Sequence, residues 1–291
     1  MLQRGLIDII VLALLWGPSF LFNKIALIDM QPLTLVSLRM IIGALFLGII
    51  LKQRRLHYVL SAPLLRQGFM LGLLSNGLPF TCFCYCVLYI PTSLAALING
   101  TMPVMSIILA RIFLGERLTL NKVMGVLLGV LGFLVLFVPS LLDTDASYNP
   151  VGMGLSFVGA LSYAIAVIYA RKRVAHTHPL VLAVLQLLTS VIYLVPLAFY
   201  FELPFTAIRA ASPATWGAVL GLSILGTGLA FLMYYRILLK QGVAALSVTS
   251  YLLPIIGTAL GVVFLNESPQ LCFLIATLCI LAGVVLVNRQ V

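Results

Sequence analysis

The side chains that could do covalent chemistry in this sequence are few and scattered. There is no His-Glu-x-x-His pair, no pair of aspartates inside an apolar run and no serine set with a histidine. No catalytic group is expected, and the chain does not read as an enzyme. His57, His176 and His178 fall in polar breaks, while Cys82, Cys84, Cys86, Cys272 and Cys279 fall inside apolar runs. Those thiols are expected to pack as small hydrophobes, with no metal site, disulfide framework or cofactor. What remains is the chemistry of recognition. Trp16, Phe20 and Asn23 share a helical face, as do Asn76, Phe80 and Phe83, and Thr227, Phe231 and Tyr234. Asn99 and Met102 precede Pro103, Ser247 and Tyr251 precede Pro254, and Tyr163 sits alone at the expected depth of Trp16. An aromatic wall carrying a few amides and hydroxyls suits a small neutral or zwitterionic molecule with an apolar part. The same residues could instead fill helix interfaces, with the polar groups bonding across them.

Arg39 is the permanent charge well inside a run, about 9 Å from its outer end at about 1.5 Å per residue. Its guanidinium could snorkel outward or pair with Asp29, or it could meet a substrate carboxylate on a pathway. Pro103 and Pro254 stand mid-run, where proline removes a backbone hydrogen bond and bends a helix. Both are candidates for a gate or hinge, or for simple packing kinks.

The elements that position these residues follow from composition. Of 291 residues 63% are hydrophobic and 8% charged, with mean hydropathy +1.20. A soluble domain is about one quarter charged, whereas a hydrocarbon core of about 30 Å needs about 20 apolar helical residues per crossing. Ten such runs lie near 6–28, 33–51, 67–89, 93–114, 121–139, 150–170, 179–200, 213–236, 243–265 and 269–288. The first is too long for a signal-peptide core. The expected fold is therefore an all-α integral membrane protein with ten transmembrane helices. The net charge of +10 does not mark a nucleic-acid binder. With the N-terminus inside, fourteen of the 17 Lys and Arg fall on the cytoplasmic side, Lys24 and Arg209 fall outside, and Arg39 lies within a helix. This is the positive-inside bias, and it places both termini in the cytoplasm.

The chain also repeats itself. PVMSIILARIFLGERLT from Pro103 and PIIGTALGVVFLNESPQ from Pro254 share Pro, Leu, Phe, Leu and Glu at an offset of 151. Gly68, Gly72, Gly77, Tyr85 and Ala95-Ala96-Leu97 match Gly217, Gly221, Gly226, Tyr234 and Ala244-Ala245-Leu246 at 149. Pro32-Leu33 matches Pro179-Leu180 at 147, which sets Arg39 on Gln186. Two halves are expected, 1–142 and 143–291. Five helices per half is an odd number, so the second half enters from the opposite side and the repeats are inverted. Inverted repeats are the architecture of alternating-access transporters, which hold substrate between the halves near the midplane. Glu116 and Glu267 then lie on opposite surfaces, and each is expected to favour the N-terminus of the helix that follows it. Asp, Glu and His are missing at mid-depth. Because proton-coupled carriers usually hold a titratable group there, facilitated diffusion or exchange is expected. A channel, which would not saturate, is the alternative class.

Three pairs spaced as small-xxx-small, Gly68/Gly72, Gly217/Gly221 and Gly257/Gly261, are expected to pack within the molecule. Gly125/Gly129 is the candidate for a homodimer surface, so the chain is expected to be a monomer or a weak dimer. The LLWGPSFLFNKIAL run, the paired motifs ending FLGERLT and FLNESP, and the five-plus-five organisation resemble the drug/metabolite transporter superfamily, in particular its ten-helix EamA-like branch. The resemblance implies a bacterial inner-membrane carrier of small metabolites, often amino acids moved outward, with nucleosides or sugars as alternative cargo. Small multidrug carriers similar to one half have an acid in helix one, where this chain has Trp16, which argues against export of polycationic drugs. LNES departs from the usual Gly before Glu, a change expected to be tolerated in a surface loop.

Overall fold

Proline and glycine decide where the apolar runs begin, bend and stop. The computed structural model describes residues 2–55, 60–116, 119–142, 149–174, 177–241, 243–268 and 271–288. Some side chains inside helices, including those at 243–248, 250 and 251, lie outside that description. Among the described residues regular structure is entirely helical. In chain order the helices are α1 (Leu2–Trp16), α2 (Ser19–Ala26), α3 (Pro32–Gln53), α4 (Ala62–Leu71), a π-helical segment (Gly72–Gly77), α5 (Leu78–Tyr89), α6 (Thr92–Asn99) and α7 (Met102–Leu114). They continue with α8 (Leu120–Leu142), α9 (Pro150–Arg173), α10 (Pro179–Phe201), α11 (Pro204–Ala210), α12 (Pro213–Leu220), a second π-helical segment (Gly221–Leu229), α13 (Ala230–Gln241), α14 (Val243–Leu265) and α15 (Leu271–Asn288).

Seven helical stretches among the described residues are long and apolar enough to cross a bilayer: Ile7–Ala26, Pro32–Gln53, Ala62–Tyr89, Thr92–Leu114, Pro150–Arg173, Pro179–Phe201 and Pro213–Tyr234. Shorter apolar helices cover Leu120–Val135, Leu252–Leu265 and Leu271–Leu286. Several runs that read as continuous are interrupted. Gly17-Pro18 separates α1 from α2, and Gly100-Thr101 separates α6 from α7. Pro103 therefore sits in the first turn of α7, where a missing amide hydrogen costs nothing. Pro254 and Pro196 sit inside α14 and α10. Gly100 and Pro254 face each other, since a Cβ on Gly100 would stand 2.8 Å from the Pro254 ring.

The two π-helical segments begin at Gly72 and Gly221, 149 residues apart. Carbonyls loosened from the α-helical ladder must find donors inside a membrane protein, and here side chains supply them. Tyr193 Oη donates to Gly72 O at 2.9 Å, Ser190 Oγ shares its hydrogen between Gln186 O at 2.7 Å and Gly72 O at 3.0 Å, and Ser162 Oγ donates to Leu74 O at 2.8 Å. In the second segment Thr227 Oγ1 donates to Leu222 O at 2.9 Å. Pro79, just beyond the first segment, removes one amide donor; the second has no proline and relies on Gly226 and Gly228 around Thr227.

The motif echo is a backbone echo as well. Gly115 (φ 69°) and Asn266 (φ 52°) both take the left-handed conformation that ends a helix. The following amides, of Glu116 and Glu267, donate to Ala110 O at 3.4 Å and Gly261 O at 3.1 Å. Asparagine tolerates that conformation better than other side-chain-bearing residues, which explains why LNES works where glycine is usual. Small residues draw the helices together. A Cβ on Gly68 would stand 3.0 Å from Leu185 Cβ, and one on Gly257 2.6 Å from Ala96 Cβ. Gly125 and Gly129 pack against α15: a Cβ on Gly283 would stand 2.6 Å from Gly125 O and 2.8 Å from Gly129 N. Within the chain, α15 covers the stripe expected to serve dimerisation.

Candidate functional site

The α3 helix starts at Pro32 under a carboxylate from elsewhere in the chain. Glu202, just past α10, accepts hydrogen bonds from Leu33 N (2.8 Å), Thr34 N (2.7 Å) and Thr34 Oγ1 (2.6 Å). Fixed at that end, α3 carries Arg39 into the bundle, where the residue is 3% exposed. Arg39 neither snorkels nor pairs with Asp29. Its Nε donates to Thr227 Oγ1 at 2.8 Å and its Nη2 to Gly226 O at 3.3 Å, both on the second π-helical segment. Its Cζ stands 3.7 Å over the Phe80 ring, a cation–π contact. Among the described residues no carboxylate pairs with it.

Aromatic rings continue from that cation. Phe80 meets Tyr163 edge to face at 6.2 Å, Tyr163 stacks on Phe83 at 5.8 Å, and Phe83 meets Phe20 edge to face at 5.3 Å. Gly159, one turn before Tyr163, gives the Phe83 ring its room, since a Cβ there would stand 2.9 Å away. Arg39, Phe80, Tyr163 and Thr227 are thus brought together by α3, α5, α9 and the second π-helical segment. Trp16 falls in a neighbouring group: its ring meets Tyr234 at 5.9 Å, and Tyr234 meets Phe231 at 6.4 Å. Trp16 and Tyr163, expected at one level, therefore face different rings. The Tyr251 side chain lies outside the described residues.

The asparagines carry another signal. Asn23 Oδ1, both polar atoms of Asn76, and Asn99 Oδ1 are buried without a hydrogen-bond partner among the described residues. Asn76 is wholly buried and belongs to the first π-helical segment. Buried polar atoms in folded proteins are nearly always satisfied, so these exceptions point to groups that something else bonds. Ser19, Ser37, Thr81, Gln186 and Thr249 add further unpaired atoms. Sequence reasoning reached Gln186 but passed over the hydroxyls, because a helical Ser or Thr ordinarily satisfies itself on a carbonyl one turn back. Ser223 does so, donating to Val219 O at 2.6 Å.

Carboxylates close one end of the bundle. Glu267 Oε1 accepts from Thr92 N (2.6 Å) and Thr92 Oγ1 (2.8 Å), and Oε2 from Ser93 N (3.0 Å). It caps α6, not the helix that follows it in sequence as expected. Asp29 Oδ2 accepts from Thr215 Oγ1 at 2.6 Å and Ser212 N at 2.9 Å, at the start of α12. The Thr215 hydroxyl, then the Ser212 amide, hold Asp29 below the ordinary carboxylate range. That contact is present at neutral pH and is lost only as pH falls through the lowered pKa. Glu116 at the other end binds Arg171 at 2.9 Å and Lys122 at 3.7 Å in the open. Among the described residues it too has no hydrogen bond to the amides of the helix that follows it.

Comparison with known proteins agrees with this architecture. Residues 3–138 and 150–289 match the EamA-like transporter family. The chain is 24% identical over 294 residues to the uncharacterized transporter YoaV of Bacillus subtilis, covering 97% of this chain and 95% of that one. It is 25% identical over 275 residues to a "Probable amino-acid metabolite efflux pump" of Escherichia coli, covering 91% and 88%. A "Probable terminal-alkyne amino-acid exporter" of Streptantibioticus cattleyicolor is 24% identical over 202 residues, covering 69% and 66%. One solved crystal structure shares the fold with a TM-score of 0.69, at 21% identity, covering 98% of this chain and 96% of its own.

Proposed function

Because the chain belongs to the EamA-like transporter family, we propose that it is a secondary transporter for a small neutral or zwitterionic metabolite. The first choice of cargo is an amino acid, carried outward across the bacterial inner membrane by alternating access. The observation that carries the cargo class is the unpaired polarity of the interior: Arg39 without an acid, beside aromatic rings, with Asn23, Asn76 and Asn99 short of partners. A zwitterion brings a carboxylate for the guanidinium and an ammonium for amide oxygens, and its side chain suits the rings. Relatives named as an amino-acid efflux pump and an amino-acid exporter support the same choice.

The mechanism rests on two inverted halves, 1–142 and 143–291, each of five membrane-spanning helices, with both termini in the cytoplasm. Support comes from the π-helical segments at an offset of 149, the left-handed Gly115 and Asn266 at 151, and the two stretches that match the family. In this reading the substrate binds among Trp16, Asn23, Asn76, Phe80, Asn99, Tyr163, Thr227, Phe231 and Tyr251. Helix movement is taken up near Pro103 and Pro254, the Pro254 ring packing against Gly100, three residues before Pro103.

Counterflow in proteoliposomes tests the proposal. Vesicles loaded with an unlabelled neutral amino acid and offered the labelled one, without a pH gradient, should accumulate label transiently and saturably. Label that enters only under a pH gradient would overturn the uncoupled mechanism, and non-saturating entry would make the protein a channel. Movement of nucleosides or sugars alone would replace the cargo. Arg39→Ala and Trp16→Ala should each lower exchange about tenfold or more while the protein stays folded. Unchanged exchange in both would move the site elsewhere.

A further inference from the structure

A groove of about 770 Å³ lies away from the aromatic cluster, in the seam between α3 and α10. Ile41, Ala44, Leu45, Gly48, Ile49 and Leu51 form one wall, and Val184, Leu188 and Val191 form the other. Leu45, Ile49 and Leu188 are among the exposed apolar residues of a bilayer-spanning pair of helices, so the groove faces lipid. Lys52 and Arg55 line its end. From Ile41 to Leu51 is about 15 Å along the helix, half of a hydrocarbon core of about 30 Å. The apolar part therefore matches one leaflet's depth of acyl chain, and the two cations stand where that leaflet's phosphates begin.

Charge decides which lipid. Lys52 and Arg55 are exposed, and neither pairs with an acid among the described residues. Lysine and arginine near a helix C-terminus complement its dipole without any ligand, which would account for Lys52. It does not account for Arg55, which lies beyond the helix end in the left-handed conformation at φ 49°. A side chain with a Cβ avoids that conformation. Here Arg55 N donates to Lys52 O at 3.1 Å, and Arg55 lines the groove. Gly48 leaves the wall open, because a Cβ there would meet nothing within 4 Å.

We propose that the α3–α10 groove is a binding site for one phospholipid of net negative charge, its acyl chain along Ala44, Gly48 and Leu188 and its phosphate between Lys52 and Arg55. A zwitterionic headgroup adds an ammonium beside two cations and is disfavoured. The groove lies on the lipid face of the helices that carry Arg39 and Gln186 inward, so a bound lipid bridges the two proposed halves at their seam. The site stands independently of what the protein carries.

The test is native mass spectrometry of the full chain released from bilayers of phosphatidylglycerol and phosphatidylethanolamine in equal amounts. One phosphatidylglycerol should remain bound in preference to phosphatidylethanolamine. Lys52→Gln with Arg55→Gln should reduce that preference about thirtyfold, at about fivefold for each basic residue next to anionic lipid. The control pair Lys172→Gln and Arg173→Gln should leave it unchanged. Gly48→Leu fills the groove without touching the charges, and should lower retention of both lipids while thermal unfolding in detergent stays unchanged. Equal retention of the two lipids by the wild type, or an equal loss in the control pair, would overturn the site and leave only general surface attraction.

Discussion

Glu116 and Glu267 hold the same place in two copies of one motif, behind the same left-handed turn, and yet they do different work. The α6–α7 stretch separates them: Glu267 sits at its start and Glu116 just after its end, so they mark opposite ends of the bundle. Glu267 accepts three hydrogen bonds from Thr92 and Ser93, and Glu202 and Asp29 make similar contacts to the starts of α3 and α12. Glu116 has two exposed ion pairs, whereas Asp8, itself 8% exposed, has one with Arg236 at 3.1 Å. A carboxylate that satisfies orphan helix amides is hard to replace, because water must enter to do it. An exposed pair exchanges partners with solvent freely. The local backbone follows the motif; the work of the side chain follows what the other half of the molecule brings to it.

The largest effect should come from Glu202, which is 8% exposed and holds both amides and the hydroxyl at the start of α3. Glu202→Ala leaves buried donors unmade and should destabilise the protein by about 3 kcal/mol, read from thermal unfolding in detergent. Glu267→Ala should cost about 2 kcal/mol, since that site is partly open, and Glu267→Gln should recover about half by keeping one acceptor. If Glu116→Ala costs as much as Glu267→Ala, the contrast between the two ends is wrong.

Much of this contrast was hidden from the sequence, and the reasons are physical. Hydropathy placed the apolar runs because the bilayer selects for twenty-residue stretches whatever they pack against. The repeat was readable in the Pro, Leu, Phe, Leu and Glu that the two motifs share; the matching turn at Gly115 and Asn266 was not, because the residue types differ there and only the backbone shows the common positive φ. The break at Gly100 was close to legible from Pro103. The second π-helical segment was not, since no proline announces it and its support comes from Arg39, 188 residues from Thr227. Nothing in the local sequence marks Glu202 as a cap, because its partners lie about 168 residues upstream. At the site, mid-depth polarity singled out Arg39, Phe80, Tyr163 and Thr227, which do meet. It could not tell that Trp16 turns instead to Tyr234, because helical spacing fixes a face but not the neighbour that face finds.

The turns allow a sharper test of what the two motifs share. Gly115→Ala forces a Cβ into a left-handed position and should cost about 1 kcal/mol, whereas Asn266→Gly should be neutral or stabilise by a few tenths of a kcal/mol. The opposite order would mean that tertiary contacts, not backbone conformation, hold these two ends.

The smallest effect should belong to Glu116 itself. Its pairs with Arg171 and Lys122 are exposed, the Glu116 side chain at 39%. Such pairs contribute between nothing and about 1 kcal/mol and are screened by salt. Glu116→Ala should therefore cost no more than about 0.5 kcal/mol at low salt and nothing measurable at about 1 M, where the Debye length falls to about 3 Å. Glu267→Ala should keep most of its cost at the same ionic strength, because its partners are backbone amides that salt does not replace. Salt dependence, more than the size of either effect, separates a carboxylate that holds a helix end from one that rests on the surface.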